Sequence, residues 1–408
     1  MNNSLLATLR SLKGNARGAI LTEPLWGIPF NLFAPYASIY MLALGLSDSE
    51  VGLVTSIGLA GQIVFALLSG IIADKLGRRR ATLIFDILAW SVPCLIWAMA
   101  RDIVWFVAAA LVNSLRKVPD NTWNLLLVED TDPDDLVHIY ALAYIAGQLA
   151  VFFAPIAGLL ISRYSLVPTV RGLYLLAFVL MTTKFLVLNA MVTETRQGMV
   201  RMAATRGRSI VALLREIGGV GRQVLATRRT ALTIAIMAIV SIVVVVQSTF
   251  WAIIATERIG IPAGHIAYFP FARSLVMLAF LFFAVPRLRG VPFGMPMVIA
   301  LVAYSASCVL LVLTPERAYG MLLLSVALES AGYAVIATQT ECLAVWNVDP
   351  GERARIVSIA HVVVIACTTP FGWIAGVLSE RNRALPFVMN VALLILCMLV
   401  VRRLKDER

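Results

Sequence analysis

The sequence predicts an all-α membrane protein with twelve transmembrane helices. Of its 408 residues, 60% are hydrophobic and only 14% are charged, and the mean hydropathy is +0.88. A soluble globular chain carries about 25% charged residues, so this composition falls in the membrane class. Apolar runs of about twenty residues, long enough to cross the hydrocarbon core of a bilayer as a helix, recur along the chain.

These runs form two groups of six. The predicted spans are 20–45, 48–73, 80–100, 103–128, 136–162 and 168–192, then 230–256, 266–286, 295–314, 319–345, 355–379 and 384–402. The segment between the groups is polar and rich in arginine, with an amphipathic stretch near Ile210–Leu225, which indicates a helix along the membrane surface. We therefore expect an N-terminal six-helix bundle over 1–192, a cytoplasmic linker over 193–229 and a C-terminal six-helix bundle over 230–408.

The distribution of positive charge predicts the orientation. The formal net charge is +11, and the cations cluster before the first span, at 74–80, in the linker and in the C-terminal tail. By the positive-inside rule both termini then face the cytoplasm, which requires an even number of spans. We expect a multi-pass protein of the cytoplasmic (inner) membrane whose first span acts as the insertion signal. The basic balance thus indicates topology and not nucleic-acid binding.

The turn between the second and third spans carries a distinctive motif. It reads Gly70-Ile-Ile-Ala-Asp74-Lys75-Leu-Gly77-Arg78-Arg79-Arg80. The two glycines allow close backbone approach, and the carboxylate of Asp74 lies beside four cations, so we expect it to be ionised and paired. The pattern G-x-x-x-D-K-x-G-R-R-R resembles the signature loop between helices 2 and 3 of the major facilitator superfamily of secondary transporters.

That resemblance implies two parallel six-helix repeats with a substrate cavity at the repeat interface, working by alternating access. It also implies a conformational latch on the cytoplasmic side, formed by Gly70, Asp74, Gly77 and Arg78 in the outward-facing state. The corresponding turn of the second half, Pro286-Arg287-Leu288-Arg289-Gly290, lacks the acidic residue. We therefore expect the latch to be asymmetric.

The fourth span carries a polar stripe, made of Asn113, Arg116, Lys117, Asp120 and Asn124. Charges at membrane depth are costly unless they face a cavity or a partner. Arg116 and Asp120 are four residues apart and can touch along the same helix face. The pair either holds the helix in place or leaves Arg116 to bind substrate or to tune a carboxylate. Arg116 is similar to the helix-4 motif of proton-coupled superfamily members, although Val118–Thr122 replaces its glycine-rich continuation.

Carboxylates inside spans are the candidate proton carriers, because burial favours the protonated form and an approaching cation the ionised one. The proton-coupling candidates are Glu329, Asp120, Arg116 and Glu23, whereas Asp86 and Glu341 are expected to be structural. The candidates for a substrate cavity are Asn31, Tyr36, Asn113, Lys117, Asn124, Tyr144, Gln148, Gln247, Trp251, Tyr333 and His361.

The fifth span carries small residues at Ala141, Ala150, Ala154 and Gly158, which weakly resemble the glycine row of superfamily antiporters. We expect proton-coupled export of a small amphipathic compound or metabolite by antiport. Proton-driven symport of a sugar or organic anion, a lipid flippase and a non-transporting sensor or scaffold are the alternatives.

The expected partners are a small-molecule substrate, protons and the lipid bilayer, and a monomer suffices for this mechanism. The five cysteines lie in apolar runs without ligand-like spacing, and no Ser-His-Asp set, phosphate loop or paired histidine is present. We therefore expect neither an enzyme nor a bound metal or cofactor.

Overall fold

The computed structural model describes residues 12–132, 135–213, 228–284, 294–346 and 353–406. Every regular element in these ranges is helical, and twelve long helical elements correspond to the twelve predicted runs. Nine described helices are long and apolar enough to cross a membrane. The all-α membrane fold is confirmed. The turn at 286–290 and most of the stretch at 210–225 lie outside the described residues.

We number the long helices α1 to α12. In the first half they are α1 (Gly14–Thr22, Pro24–Phe33, a 3-10 turn Ala34–Tyr36 and Ala37–Ala43), α2 (Asp48–Leu76), α3 (Arg78–Met99), α4 (Ile103–Asn113, a 3-10 turn Ser114–Arg116 and Lys117–Val128), α5 (Leu136–Tyr164) and α6 (Leu166–Met191). A short linker helix, Arg196–Thr205, follows. In the second half they are α7 (Arg228–Glu257), α8 (Tyr268–Ala279 and a π turn Phe280–Ala284), α9 (Gly294–Leu313), α10 (Tyr319–Trp346), α11 (Arg353–Arg381) and α12 (Leu385–Asp406).

Prolines explain where the helices are irregular. Proline lacks a backbone N–H and its ring crowds the preceding turn, so it interrupts the α-helical hydrogen-bond ladder. In α1, Pro24 begins a new segment and Pro35 lies in the 3-10 turn. In α4, Pro119 follows the 3-10 turn at Ser114–Arg116 by three residues. That turn winds with about three residues per turn, which changes the direction of the side chains around it.

By its internal contacts the chain divides into two compact units. Unit 1 comprises Met1–Ala34, Gly61–Ala157 and Val167–Glu216, and unit 2 comprises Pro35–Ala60, Gly158–Leu166 and Ile217–Arg408. Unit 1 has a buried core between the first segment of α1 and the ends of α4, α5 and α6. Unit 2 has its core between α7, α9, α10 and α12. The first residues of α2 thus belong to unit 2, and the predicted division into bundles and linker stays a prediction.

Within unit 2, helices α2 and α11 pack through glycines. A Cβ on Gly52 would overlap the carbonyl oxygen of Gly372, and Gly376 lies against the backbone of Asp48. The backbone N–H of Trp373 donates to the side-chain Oγ of Ser56 at 2.8 Å, which joins the two helices. Small residues at such a crossing let the helix backbones touch, so the contact depends on their lack of a side chain.

We expect Gly52→Ala to destabilise the protein by about 1–3 kcal/mol, because the added methyl group overpacks the helix crossing. The matched control is Gly147→Ala in α5, where an added Cβ meets nothing within 4 Å and alanine favours the helix by up to about 1 kcal/mol. Thermal unfolding of the purified protein in detergent measures both. Equal unfolding midpoints for the two variants would contradict the close α2–α11 contact.

Candidate functional site

The signature turn of unit 1 is organised around the buried Arg78, whose side chain is 4% exposed. Its Nη1 donates to the Asp74 Oδ1 at 3.0 Å and to the Ala73 carbonyl at 3.1 Å. Its Nε and Nη2 donate to the two carboxylate oxygens of Glu129, at the end of α4, at 3.1 and 3.0 Å. A guanidinium offers this bidentate geometry to a carboxylate. The predicted pairing of Asp74 with Arg78 is thus present, with Glu129 as a second partner.

A third carboxylate, that of Glu194, accepts hydrogen bonds from backbone N–H groups at the start of α3. It accepts hydrogen bonds from the backbone N–H groups of Arg78 and Arg79 at 2.8 and 3.1 Å. An anion at this position also suits the partial positive charge of a helix N-terminus. Gly77 precedes the helix with a φ of +81°, and a Cβ there would overlap the Glu194 carboxylate. Glycine is therefore required at this position for two reasons: the positive φ and the lack of space for a side chain.

The linker helix is attached to the same turn. Thr195 caps the helix by accepting from the Gly198 N–H at 2.9 Å, and it donates to Glu129 at 2.5 Å. At the other end of the helix, the Thr205 hydroxyl donates to the Asp74 carbonyl at 2.9 Å. Sequence reasoning missed Glu129, Glu194 and Thr195. The available signal was a Glu-Thr pair directly after the sixth apolar run, a common start for a helix.

In the polar stripe of α4, Arg116 and Asp120 have separate partners. Arg116 donates to the Gln62 side chain of α2 at 3.5 Å, and Asp120 forms its ion pair with Lys117 at 3.6 Å. Arg116 and Asp120, which their spacing would allow to touch, form no ion pair with each other, because Arg116 lies in the 3-10 turn that precedes the α-helical segment of Asp120. The Arg116 Nε is buried and has no hydrogen-bond partner among the described residues.

The two asparagines of the stripe have hydrogen-bond partners outside it. Asn113 donates to the Ala89 carbonyl of α3 at 2.7 Å, and Asn124 accepts from the Tyr140 hydroxyl at 3.0 Å. Both contacts lie within unit 1. The stripe therefore contacts α2, α3 and α5 through three different side chains, and its members do not act as one self-contained cluster.

Unit 1 also holds an ion pair inside the membrane-spanning helices. The Lys184 Nζ of α6 lies 3.7 Å from the Glu23 Oε2 of α1, and both side chains are largely buried. The ammonium group also lies over the rings of Trp123 and Phe185, at 5.9 and 5.3 Å from their centroids. Glu23 was among the predicted proton-coupling residues. Lys184 was not, because a single lysine in an apolar run gives no sign of its partner.

Unit 2 holds a second buried pair. The Arg273 Nη2 of α8 donates to the Glu329 Oε2 of α10 at 2.5 Å. The side chain of Glu329 is 5% exposed, whereas that of Arg273 is 39% exposed. One turn along α10, Gly332 lies against the Ala300 carbonyl of α9, which brings the two helices close together. Glu329 was predicted from its position in an apolar helix, whereas no sequence pattern indicated Arg273 as its partner.

At the Asp48 end of unit 2 lies a cavity of about 1210 Å³, lined by residues of the α1–α2 turn, the end of α7 and the α11–α12 turn. The Asp48 Oδ2 accepts from the Ser379 hydroxyl at 2.6 Å and from the Arg383 Nε at 3.4 Å. Arg383 also lies 3.7 Å from Glu257. Through hydrogen bonds and ion pairs these residues join α2, α7, α11 and the α11–α12 turn, and none of them was predicted.

The remaining predicted cavity residues occupy both units. Tyr36, Gln247 and Trp251 are buried, Asn31, Gln148 and Tyr333 are partly buried, and Tyr144 and His361 are exposed. The Asn31 amide donates to a carbonyl of its own helix at 2.7 Å. The role of these side chains in binding a substrate stays a prediction.

We expect Glu129→Gln to lower the stability of the protein by about 1.5–3 kcal/mol, the range for hydrogen bonds to charged groups, because Arg78 loses a charged partner. Glu316→Gln, a change at an exposed glutamate, is the control and should leave stability within about 0.5 kcal/mol. Thermal unfolding in detergent compares the two. An unchanged midpoint for Glu129→Gln would show that Glu129 does not support the signature turn.

The sequence profile of the Major Facilitator Superfamily matches residues 25–360. The uncharacterized MFS-type transporter YqjV of Bacillus subtilis (strain 168) is 30% identical over 127 residues, which is 31% of this chain and 31% of that relative. The solved nucleoside transporter NupG aligns with a TM-score of 0.74 at 14% identity, over 97% of this chain and 100% of that chain. The human organic anion transporter MFSD10 aligns with a TM-score of 0.62 at 15% identity, over 95% and 98% of the two chains.

The identities with the solved structures are low, so these likenesses concern the fold alone. The superfamily profile, by contrast, covers most of the chain and includes the signature turn. The chain therefore belongs to the Major Facilitator Superfamily and is a multi-pass secondary transporter, not an enzyme.

Proposed function

We propose that this transporter couples transport to protons and exports a small amphipathic compound or metabolite by antiport, through alternating access. We place it in the cytoplasmic (inner) membrane as a monomer with both termini in the cytoplasm. The observation that carries the proposal is the contact of the buried Glu329 carboxylate with Arg273 in unit 2.

A buried carboxylate is stable either when it is paired with a cation or when it is protonated. Glu329 is ionised while Arg273 donates to it, and it takes up a proton when the guanidinium moves away. Because the side chain of Arg273 is partly exposed and that of Glu329 is buried, Arg273 is the member of the pair that we expect to move. A proton and a cation that compete for one carboxylate provide the exclusive occupancy that coupling requires.

The two ends of α2 supply the gates for alternating access. In the proposed orientation the signature turn at Asp74 and Arg78 is cytoplasmic, and the opposite end of α2, at Asp48, faces outward. There the ion pair of Asp48 with Arg383 and the Gly52–Gly372 contact close the outward side. We propose that these contacts separate in the outward-facing state, in which the signature turn latches the cytoplasmic side. The Asp74–Arg78 pair lies within unit 1 and is already formed here, so its part in the latch is to hold the shape of that turn.

Export is favoured by the small residues of α5, which resemble the antiporter pattern. At one of them, Gly158, an added Cβ would overlap the Gly264 carbonyl, so the helix makes a backbone contact there within unit 2. Uptake by symport of a polar solute or an organic anion is the second candidate. Arg116 supports it, since its buried Nε has no partner among the described residues and would suit an anionic group.

The test uses purified protein in liposomes without an imposed gradient, with external pH recorded as compounds are added. A lipophilic cation, a dipeptide, uridine, 5-aminolevulinic acid and an aromatic carboxylate form the panel. Antiport moves protons out as the compound enters, so we expect external acidification. Alkalinisation would indicate symport and contradict export by antiport. If no compound of the panel changes the external pH and the protein scrambles labelled lipid between leaflets, the result would favour a flippase.

We expect Glu329→Gln to lose the pH signal, because an amide neither binds nor releases the proton. Glu316→Gln is the matched control and should keep the signal, since this glutamate is exposed in the loop before α10. A Glu329→Gln protein that still moves protons at the wild-type rate would remove Glu329 from the mechanism.

A further inference from the structure

Unit 1 contains a buried carboxylate that none of the pairs above neutralises. Asp86 lies in α3 and is 5% exposed. Its Oδ2 is completely buried and has no hydrogen-bond partner in the described part of the chain. It also forms no ion pair within 4.0 Å with any described residue. We propose that Asp86 is a proton-binding site that shares the single cation Lys184 with Glu23.

The charged groups facing Asp86 come from three helices. They are Glu23 of α1, Asp120 of α4 and Lys184 of α6. Lys184 is engaged by Glu23, and Asp120 is engaged by Lys117. Arg116 belongs to α4 as well, but it donates to Gln62 on α2. Lys184 is therefore the cation that acts on Asp86, and it is paired with Glu23, so an ionised Asp86 would have no cation in direct contact.

Because Asp86 is buried, an unpaired negative charge on its side chain would have a high free-energy cost. An ionised carboxylate removed from water without a partner costs several kcal/mol, and such a group becomes neutral instead by binding a proton. Two carboxylates that share one cation can hold one negative charge and one proton between them. In this structure the cation is with Glu23, so the proton is on Asp86.

This arrangement also allows exchange. Movement of Lys184 from Glu23 toward Asp86 would release the proton of Asp86 and leave Glu23 to bind one. The site would then carry a proton in both states, but on different helices, α3 and α1. As a coupling site it rests on the proposed function, whereas the proton on Asp86 is a property of the resting protein.

The test is infrared spectroscopy of the purified protein in nanodiscs at pH 7, where an aspartate in water, with a pKa of about 3.9, is ionised. A protonated carboxyl gives a C=O stretching band that a carboxylate lacks. We expect Asp86→Asn to remove the intensity of one carboxyl from this band. Lys184→Met should add one, because Glu23 then loses its cation and becomes protonated.

Asp48→Asn is the matched control. Asp48 is as buried as Asp86, at 5% exposure, but it accepts from Ser379 and Arg383 and should not contribute to the band. An Asp86→Asn spectrum identical to that of the wild type would overturn the proposal. If Asp86→Asn does not fold, wild-type protein grown on aspartate with a heavy-carbon side-chain carboxyl gives the answer: the band shifts if an aspartate holds the proton, and an unshifted band overturns the proposal.

None of these spectra involves transport. A protein that shows the Asp86 band but no proton movement in liposomes would keep the proton site and lose the proposed coupling. A protein that moves protons without the band would keep the coupling and lose the site.

Discussion

The structure depends on the cost of placing charge inside membrane-spanning helices. A charge at membrane depth is tolerated where a partner lies beside it, and both compact units satisfy this requirement with ion pairs of their own. Unit 1 joins α1 to α6 through Glu23 and Lys184, and unit 2 joins α8 to α10 through Arg273 and Glu329. Each pair connects helices that are distant in sequence, so it fixes which helices are neighbours as well as where charge is located.

The signature turn applies the same principle at a helix end. There the guanidinium of Arg78 is held by two carboxylates, and Glu194 satisfies the first N–H groups of α3. Thr195 and Thr205 attach the linker helix to this turn through hydrogen bonds to the Glu129 carboxylate and the Asp74 carbonyl. A change at Arg78 that displaces these two residues would therefore also displace the linker helix. The turn therefore connects α2, α3, α4 and the segment that follows α6, which suits the latch proposed for it.

The fold could be predicted from the sequence because hydrophobic runs and loop charges are local properties. The twelve helices and the pairing of Asp74 with Arg78 needed no knowledge of distant contacts. The partners of Glu23 and Glu329 could not be found in this way, since Lys184 and Arg273 lie far away in the chain and a lone cation carries no information about its acceptor. The separate partners of Arg116 and Asp120 could not be predicted either, because the 3-10 turn at Ser114–Arg116 interrupts the regular α-helical spacing.

The central claim is that Glu329 and Arg273 depend on each other as a pair between α8 and α10, and a double-mutant cycle tests it most directly. Stability would be measured for Arg273→Met, for Glu329→Gln and for the double variant. Each single change leaves one member of the pair without its partner, whereas the double change removes both charges. We predict that the double variant is more stable than the sum of the single effects by about 1–3 kcal/mol. Additive losses would contradict the account, because they would mean that the two side chains do not depend on each other.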